Sequence, residues 1–126
     1  MRITPIRKIK EGARGTFYES KTSCGKLTII IADGEDDYPV RLTVQPSSEG
    51  GCTANLEAVQ RLVTLLLELN TRADCIIEQL NKVVCPACKS AFLKGNKEIA
   101  FSCSKAIGRA LEKHIYNGEK KEEKKS

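Results

Sequence analysis

Apolar positions along this chain change their period once, from two to between three and four. Residues 15–45 read as extended structure. In "GTFYESKTSCG" and "KLTIII" a strand, a turn and a second strand follow one another, with Thr22, Ser23 and Gly25 punctuating the turn around Cys24. "LTIIIA" is β-branched and apolar throughout, the composition of a well-buried strand. The acidic run "DGEDD" at 33–37 predicts a hairpin loop, and "YPVRLTVQ" at 38–45 alternates as a partly exposed strand. Pro39 near its start marks an edge or a strand end. These segments predict a three-stranded antiparallel meander.

"PSSEGG" at 46–51 breaks the sheet, and helical periodicity follows. "CTANLEAVQRLVTLLLELN" carries Leu56, Val59, Leu62, Val63, Leu66 and Leu67 as one broad apolar face. "ADCIIEQLNKV" at 73–83 predicts a shorter helix that turns Ile76, Ile77 and Leu80 inward. After the "CPAC" turn, "KSAFLKGNKEIA" reads as a polar loop. "SKAIGRALEKHIYNG" at 104–118 predicts a third helix with Ala106, Ile107, Ala110 and Leu111 on one face and Gly118 placed to end it. Strands first and helices after give an α+β fold. No internal repeat is present.

Composition refines this picture. At 126 residues and 40% apolar the chain fits one domain, but with 5% aromatics and no Trp its core must be aliphatic and modest. Cores of that kind are often helped by a staple or a metal. No stretch of eighteen apolar residues exists to span a membrane, and the N-terminus lacks the apolar centre of a signal peptide. A cytoplasmic location is therefore expected, with the six cysteines reduced. The net charge of +5 is concentrated at the start, where Arg2, Arg7, Lys8, Lys10 and Arg14 face only Glu11. The expected organisation is a basic arm at 1–13, an α+β domain at 14–118 and a charged, disordered tail at 119–126. The arm could meet nucleic acid or an acidic protein face. Without interleaved aromatics or a reading helix, a solvated or partner-docking arm is the better reading.

The cysteines carry the candidate chemistry. Cys24 falls in the first turn, Cys52 and Cys103 stand just ahead of helices, Cys85 follows the second helix, and Cys88 completes the C-P-A-C turn. A helix N-terminus favours a thiolate over a thiol, which suits a metal ligand and a redox-active thiol equally. Zinc is satisfied by four thiolates, and a C-P-x-C turn resembles half of a zinc knuckle. A metal site is preferred over redox-active thiols or inert buried cysteines, and zinc over an iron–sulfur cluster, since nothing suggests electron transfer. Cys75, inside the second helix, is expected to be a small buried hydrophobe. His114, the only histidine, reads as a surface residue. Glu35, Asp36 and Asp37 read as a solvated loop. No constellation of catalytic residues is present, so no catalytic residue is assigned.

Four segments in order, "KTSCGKLTIII", "EGGCTANLEAVQRLVTLLLELN", "IIEQLNKVVCP" and "FSCSKAIGRALEKHI", resemble the TSCPD domain family over roughly residues 8–116. That module occurs at the C-terminal end of cobalamin-dependent (class II) ribonucleotide reductases and as small free-standing proteins. The resemblance puts the family's four cysteines on Cys24, Cys52, Cys85 and Cys103. It departs where the family has Pro-Asp and this chain has Ser104-Lys105, and Cys88 is an extra thiol that could replace Cys24 as a ligand. The chain is far too short for the barrel that holds the radical and cobalamin chemistry. The resemblance thus implies a non-catalytic zinc module, an accessory or interaction protein whose partner is a reductase large subunit or another protein. The alternatives are a thiol-redox accessory working through Cys85 and Cys88, and a module that binds nucleic acid or a partner through its basic arm.

Overall fold

The computed structural model describes residues 8–9, 11–12, 14–22, 25–46 and 53–125, the last of these without the side chains of 119–125. Most of the basic arm, and both Cys24 and Cys52, lie outside the described residues. Within the arm, Ile9 forms an antiparallel bridge to Gly34.

The meander is present. β1 (Thr16–Thr22), β2 (Gly25–Asp33) and β3 (Pro39–Pro46) form an antiparallel sheet in the order β1-β2-β3. Its register sets Tyr18 and Val44 on either side of Ile29, and Leu42 opposite Ile31. Period-two alternation therefore turns Leu27, Ile29, Ile31, Leu42 and Val44 to one face, where they are buried. Proline stands at both ends of β3, where a missing N–H limits pairing along that outer edge.

Helices cover that face alone. α1 (Thr53–Glu68) lies on β3, held by two side chains that reach into the strand backbone. Thr64 Oγ1 exchanges hydrogen bonds with the Leu42 amide and carbonyl, both at 3.1 Å, and Gln60 Oε1 accepts from the Val44 amide at 3.0 Å. As β3 runs toward Pro46, α1 thus runs back toward Leu69. It presents Leu56, Val63 and Leu67 to the core, so Leu62 and Leu66, expected on the buried face, point to solvent. Asn70 takes φ 68°, and the Thr71 and Asn70 amides return to the Leu66 and Leu67 carbonyls, closing the helix as a Schellman turn.

α2 (Ala73–Asn81) packs against α4 (Cys103–Lys125), and α4 lies across β1 and β2. Their closest approach is at Gly108, where an added Cβ would sit 2.7 Å from Asn81 Oδ1 and 3.2 Å from Leu80 Cβ. Ala106, Ile107, Ala110 and Leu111 fill the core from α4. The helix continues past Gly118 rather than ending there.

The expected three helices are four. While 94–100 is non-helical as expected, the C-P-A-C turn from Pro86 and the first part of the segment read as a loop after it form α3 (Pro86–Leu93). Pro86 opens it, where its missing N–H costs nothing. Gly95, at φ 115°, closes it: its amide donates to the Phe92 carbonyl and that of Asn96 to the Ala91 carbonyl.

Candidate functional site

The short segment 99–103 is where the fold gathers its pieces. Ile99 forms a parallel bridge to Lys21 at the end of β1, and the Ala100 amide donates to the Lys21 carbonyl at 3.1 Å. One residue on, the Phe101 carbonyl accepts from the Cys85 amide at 2.7 Å. Phe101 also meets Phe92 of α3 edge-on, with ring centroids 4.9 Å apart. Lys97 and Lys105 place their ammonium groups over the Phe92 and Phe101 rings.

Ser102 then starts α4. Its side chain, 2% exposed, accepts from the Lys105 amide at 2.9 Å and donates to the Val83 carbonyl at 2.6 Å, beyond the end of α2. A helix cap and a tie between two helices share one hydroxyl. Cys103, the next residue, is half-buried at the first position of α4.

Cys85 stands in extended conformation as the residue capping α3. No closed side-chain cap hydrogen bond forms there, yet the thiol faces helix amides and its pKa is lowered. The Cys88 amide is the largest cause; burial opposes it, and the Ala87 amide and the Cys88 side chain add to the lowering. Cys88 itself is buried, 1% exposed, on the inner side of α3.

The flanks of the two remaining cysteines lie toward the same end of the sheet. Thr22 and Gly25 bracket Cys24, and the Thr22 hydroxyl closes across them to the Gly25 carbonyl at 3.0 Å. Pro46 of β3 lies beside Leu27, two residues from Gly25. Because α1 runs antiparallel to β3, its first residue, Thr53, which follows Cys52, belongs to that end as well. The starts of α3 and α4 therefore meet the end of β1, and α1 begins toward the same end of the sheet, beyond β3. Among the described residues no group of three or more His, Cys, Asp or Glu is placed to hold a metal; Cys85, Cys88 and Cys103 alone do not make one.

Two of the other expectations are corrected. Cys75 is exposed, because α2 turns Ala73 and Ile76 inward and leaves the cysteine outside. His114 is not a surface residue: its side chain is 11% exposed and is fixed from both sides. Its Nε2 lies 2.8 Å from Asp33 Oδ1 and its Nδ1 2.9 Å from the Tyr18 hydroxyl. Burial, first of its causes, raises the Tyr18 pKa and keeps the phenol neutral. In a neutral ring, Nε2–H donating to the carboxylate leaves Nδ1 to accept from the Tyr18 O–H. This relay sits at the opposite end of the sheet from the cysteine segment, and it ties α4 to β1 and β2. Asp33, expected in the acidic hairpin loop, instead ends β2 and makes a structural bond, while Asp36 Oδ1 accepts from the Tyr38 amide at 3.3 Å and Asp37 takes φ 60° to turn the hairpin.

No helix among the described residues is long and apolar enough to cross a membrane. A family model described as TSCPD domain matches residues 3–115. No curated protein and no solved structure matches the chain.

Proposed function

Since the chain belongs to the TSCPD domain family, we propose that it is a non-catalytic zinc module whose ligands are Cys24, Cys52, Cys85 and Cys103. The observation that carries this reading is that three helix starts and the ends of β1 and β2 that flank Cys24 lie toward one end of the sheet. Each of the four cysteines is in, or adjoins, one of those four pieces of chain. Helix N-termini stabilise thiolates, and the lowered Cys85 pKa shows that effect at one of the four. The donor set fits zinc, which takes four thiolates as a closed structural site.

Bound there, zinc would act as a cross-link between otherwise separate elements, with no open position for a substrate. Ser102 and the Phe101 carbonyl hold Cys103 and Cys85 in place beforehand, so part of the ordering is done by protein bonds. Zinc binding contributes about 10–16 kcal/mol in small zinc domains, so metal retention and folding should be one event. Replacing Cys52 with Ser should release the metal and lower the melting temperature together. A Cys52→Ser chain that keeps both its metal and its melting temperature would sink the assignment. The role that follows is that of an accessory or interaction module acting on another protein, a ribonucleotide reductase large subunit being the partner the family resemblance implies.

The lowered Cys85 thiol beside the buried Cys88 favours one other reading, exchange with a disulfide on a partner protein. Cys85 thiolate would attack one partner sulfur and release the other as a thiolate. Cys88 thiolate would then attack Cys85 Sγ, freeing the second partner thiolate and leaving a Cys85–Cys88 disulfide. Two electrons pass to the partner. Such activity would vanish on Cys88→Ser and persist in the presence of a chelator, the reverse of what a zinc module predicts. The basic arm's part in binding nucleic acid or a partner stands as a third proposal, on sequence alone, tested by the salt dependence of binding with and without residues 1–13.

A further inference from the structure

The outward side of α1 carries Leu62, Leu65, Leu66 and Leu69 at 60%, 46%, 40% and 41% exposure. Their spacing is i, i+3, i+4 and i+7, so they form one ridge along two turns. The opposite side of the helix is already committed, through Leu56, Val63 and Leu67, to the core. A contiguous row of exposed leucines on a helix is the mark of an interaction surface, in contrast to scattered single apolar residues.

We propose that this ridge pairs with the same ridge of a second copy of the chain, the two α1 helices running antiparallel about a two-fold axis. The pattern is self-complementary. Inverting the order exchanges Leu62 with Leu69 and Leu65 with Leu66, so an antiparallel pair sets leucine against leucine at every level. An isologous interface requires that property.

The charges beside the ridge agree with the same arrangement. Arg61, exposed, and Glu68, half-buried, are seven residues apart on one flank. In the inverted pair Arg61 of one copy lies about 3 Å along the axis from the level of Glu68 of the other. Opposite charges therefore meet twice, once at each end, whereas in a parallel two-fold pair this flank would face the partner's other flank and Arg61 and Glu68 would not meet. Among the described residues Arg61 pairs with Glu57, at 3.1 Å, a solvent-exposed pair that leaves it available to a second acid. The polar flank and apolar ridge together give the rim and centre of a small interface.

Sedimentation equilibrium on the full chain tests this. The wild type is expected at twice the chain mass of 13.9 kDa. Leu62→Glu with Leu65→Glu should return it to the monomer mass while keeping its helical circular dichroism, since both side chains are outside the core. Arg61→Glu should weaken the dimer at least tenfold, and adding Glu68→Arg should restore it. A wild type that stays monomeric up to about 1 mM overturns the proposal and leaves the ridge to a different chain. A dimer that survives the double leucine variant overturns it as well, by placing the interface elsewhere. Failure of the charge exchange to restore the Arg61→Glu dimer refutes the antiparallel pairing.

Discussion

Replacing Ser102 with Ala removes one oxygen that performs two tasks. The hydroxyl accepts from the Lys105 amide at 2.9 Å, capping α4, and donates to the Val83 carbonyl at 2.6 Å, fastening α4 to the end of α2. Loss of a serine cap costs about 1 kcal/mol. Leaving a buried acceptor without its donor costs about 1–3 kcal/mol, and at 2% exposure water cannot readily replace the hydroxyl. Together they predict a loss of about 2–4 kcal/mol. Urea unfolding followed by circular dichroism should show it as a midpoint about 1 M or more lower, with an unchanged slope. Ser104→Ala is the control: two residues along, its hydroxyl makes no hydrogen bond among the described residues. It should change stability by less than about 0.5 kcal/mol. A Ser102→Ala loss as small as the control would refute the claim that this hydroxyl joins the two helices.

Other perturbations test separate parts of the structure. His114→Ala should cost about 1–3 kcal/mol by freeing Asp33 and Tyr18, and Tyr18→Phe should cost less; a double-mutant cycle with zero coupling would contradict the relay. Gly108→Ala adds a Cβ 2.7 Å from Asn81 Oδ1, a strain of about 1–3 kcal/mol that exceeds the gain of about 1 kcal/mol in helix propensity. That oxygen is buried without a hydrogen-bond partner among the described residues, so the penalty should shrink in an Asn81→Ala background; a stabilising Gly108→Ala would contradict the packing. Under the exchange reading, in which the reduced chain folds without metal, Cys85 should become alkylable at lower pH than in urea, because its folded pKa lies below the unfolded one. By the same sign, its contribution to stability is present above the unfolded pKa and fades as pH falls through the folded pKa. An alkylation midpoint equal to or above that in urea would contradict it.

The sheet was legible in the sequence because period-two alternation and buried β-branched runs fix both the strands and their inward face. α1 was legible for the same reason at period 3.6, but its buried arc was read too wide. Helical spacing puts Leu62 and Leu66 next to the core residues, and only the one-sided docking on β3 separates them from it. α3 was missed because its apolar pattern is weak, yet Pro86 and Gly95 bracketed it, and those end signals could have found it. His114 and Ser102 were not legible at all. Their partners lie 81 and 19 residues away, distances that no local pattern spans. The positions of Cys85 and Cys103 at element starts were readable from the sequence, while the shared segment that brings them together was not.

The central claim is that these four pieces of chain are joined by one zinc ion on Cys24, Cys52, Cys85 and Cys103. Its most direct test is metal content per chain by elemental mass spectrometry, on full-length protein purified under reducing conditions without added metal. The account predicts about one zinc per chain, released only as the fold is lost. A folded chain without bound metal, with all its thiols free to react, would contradict it.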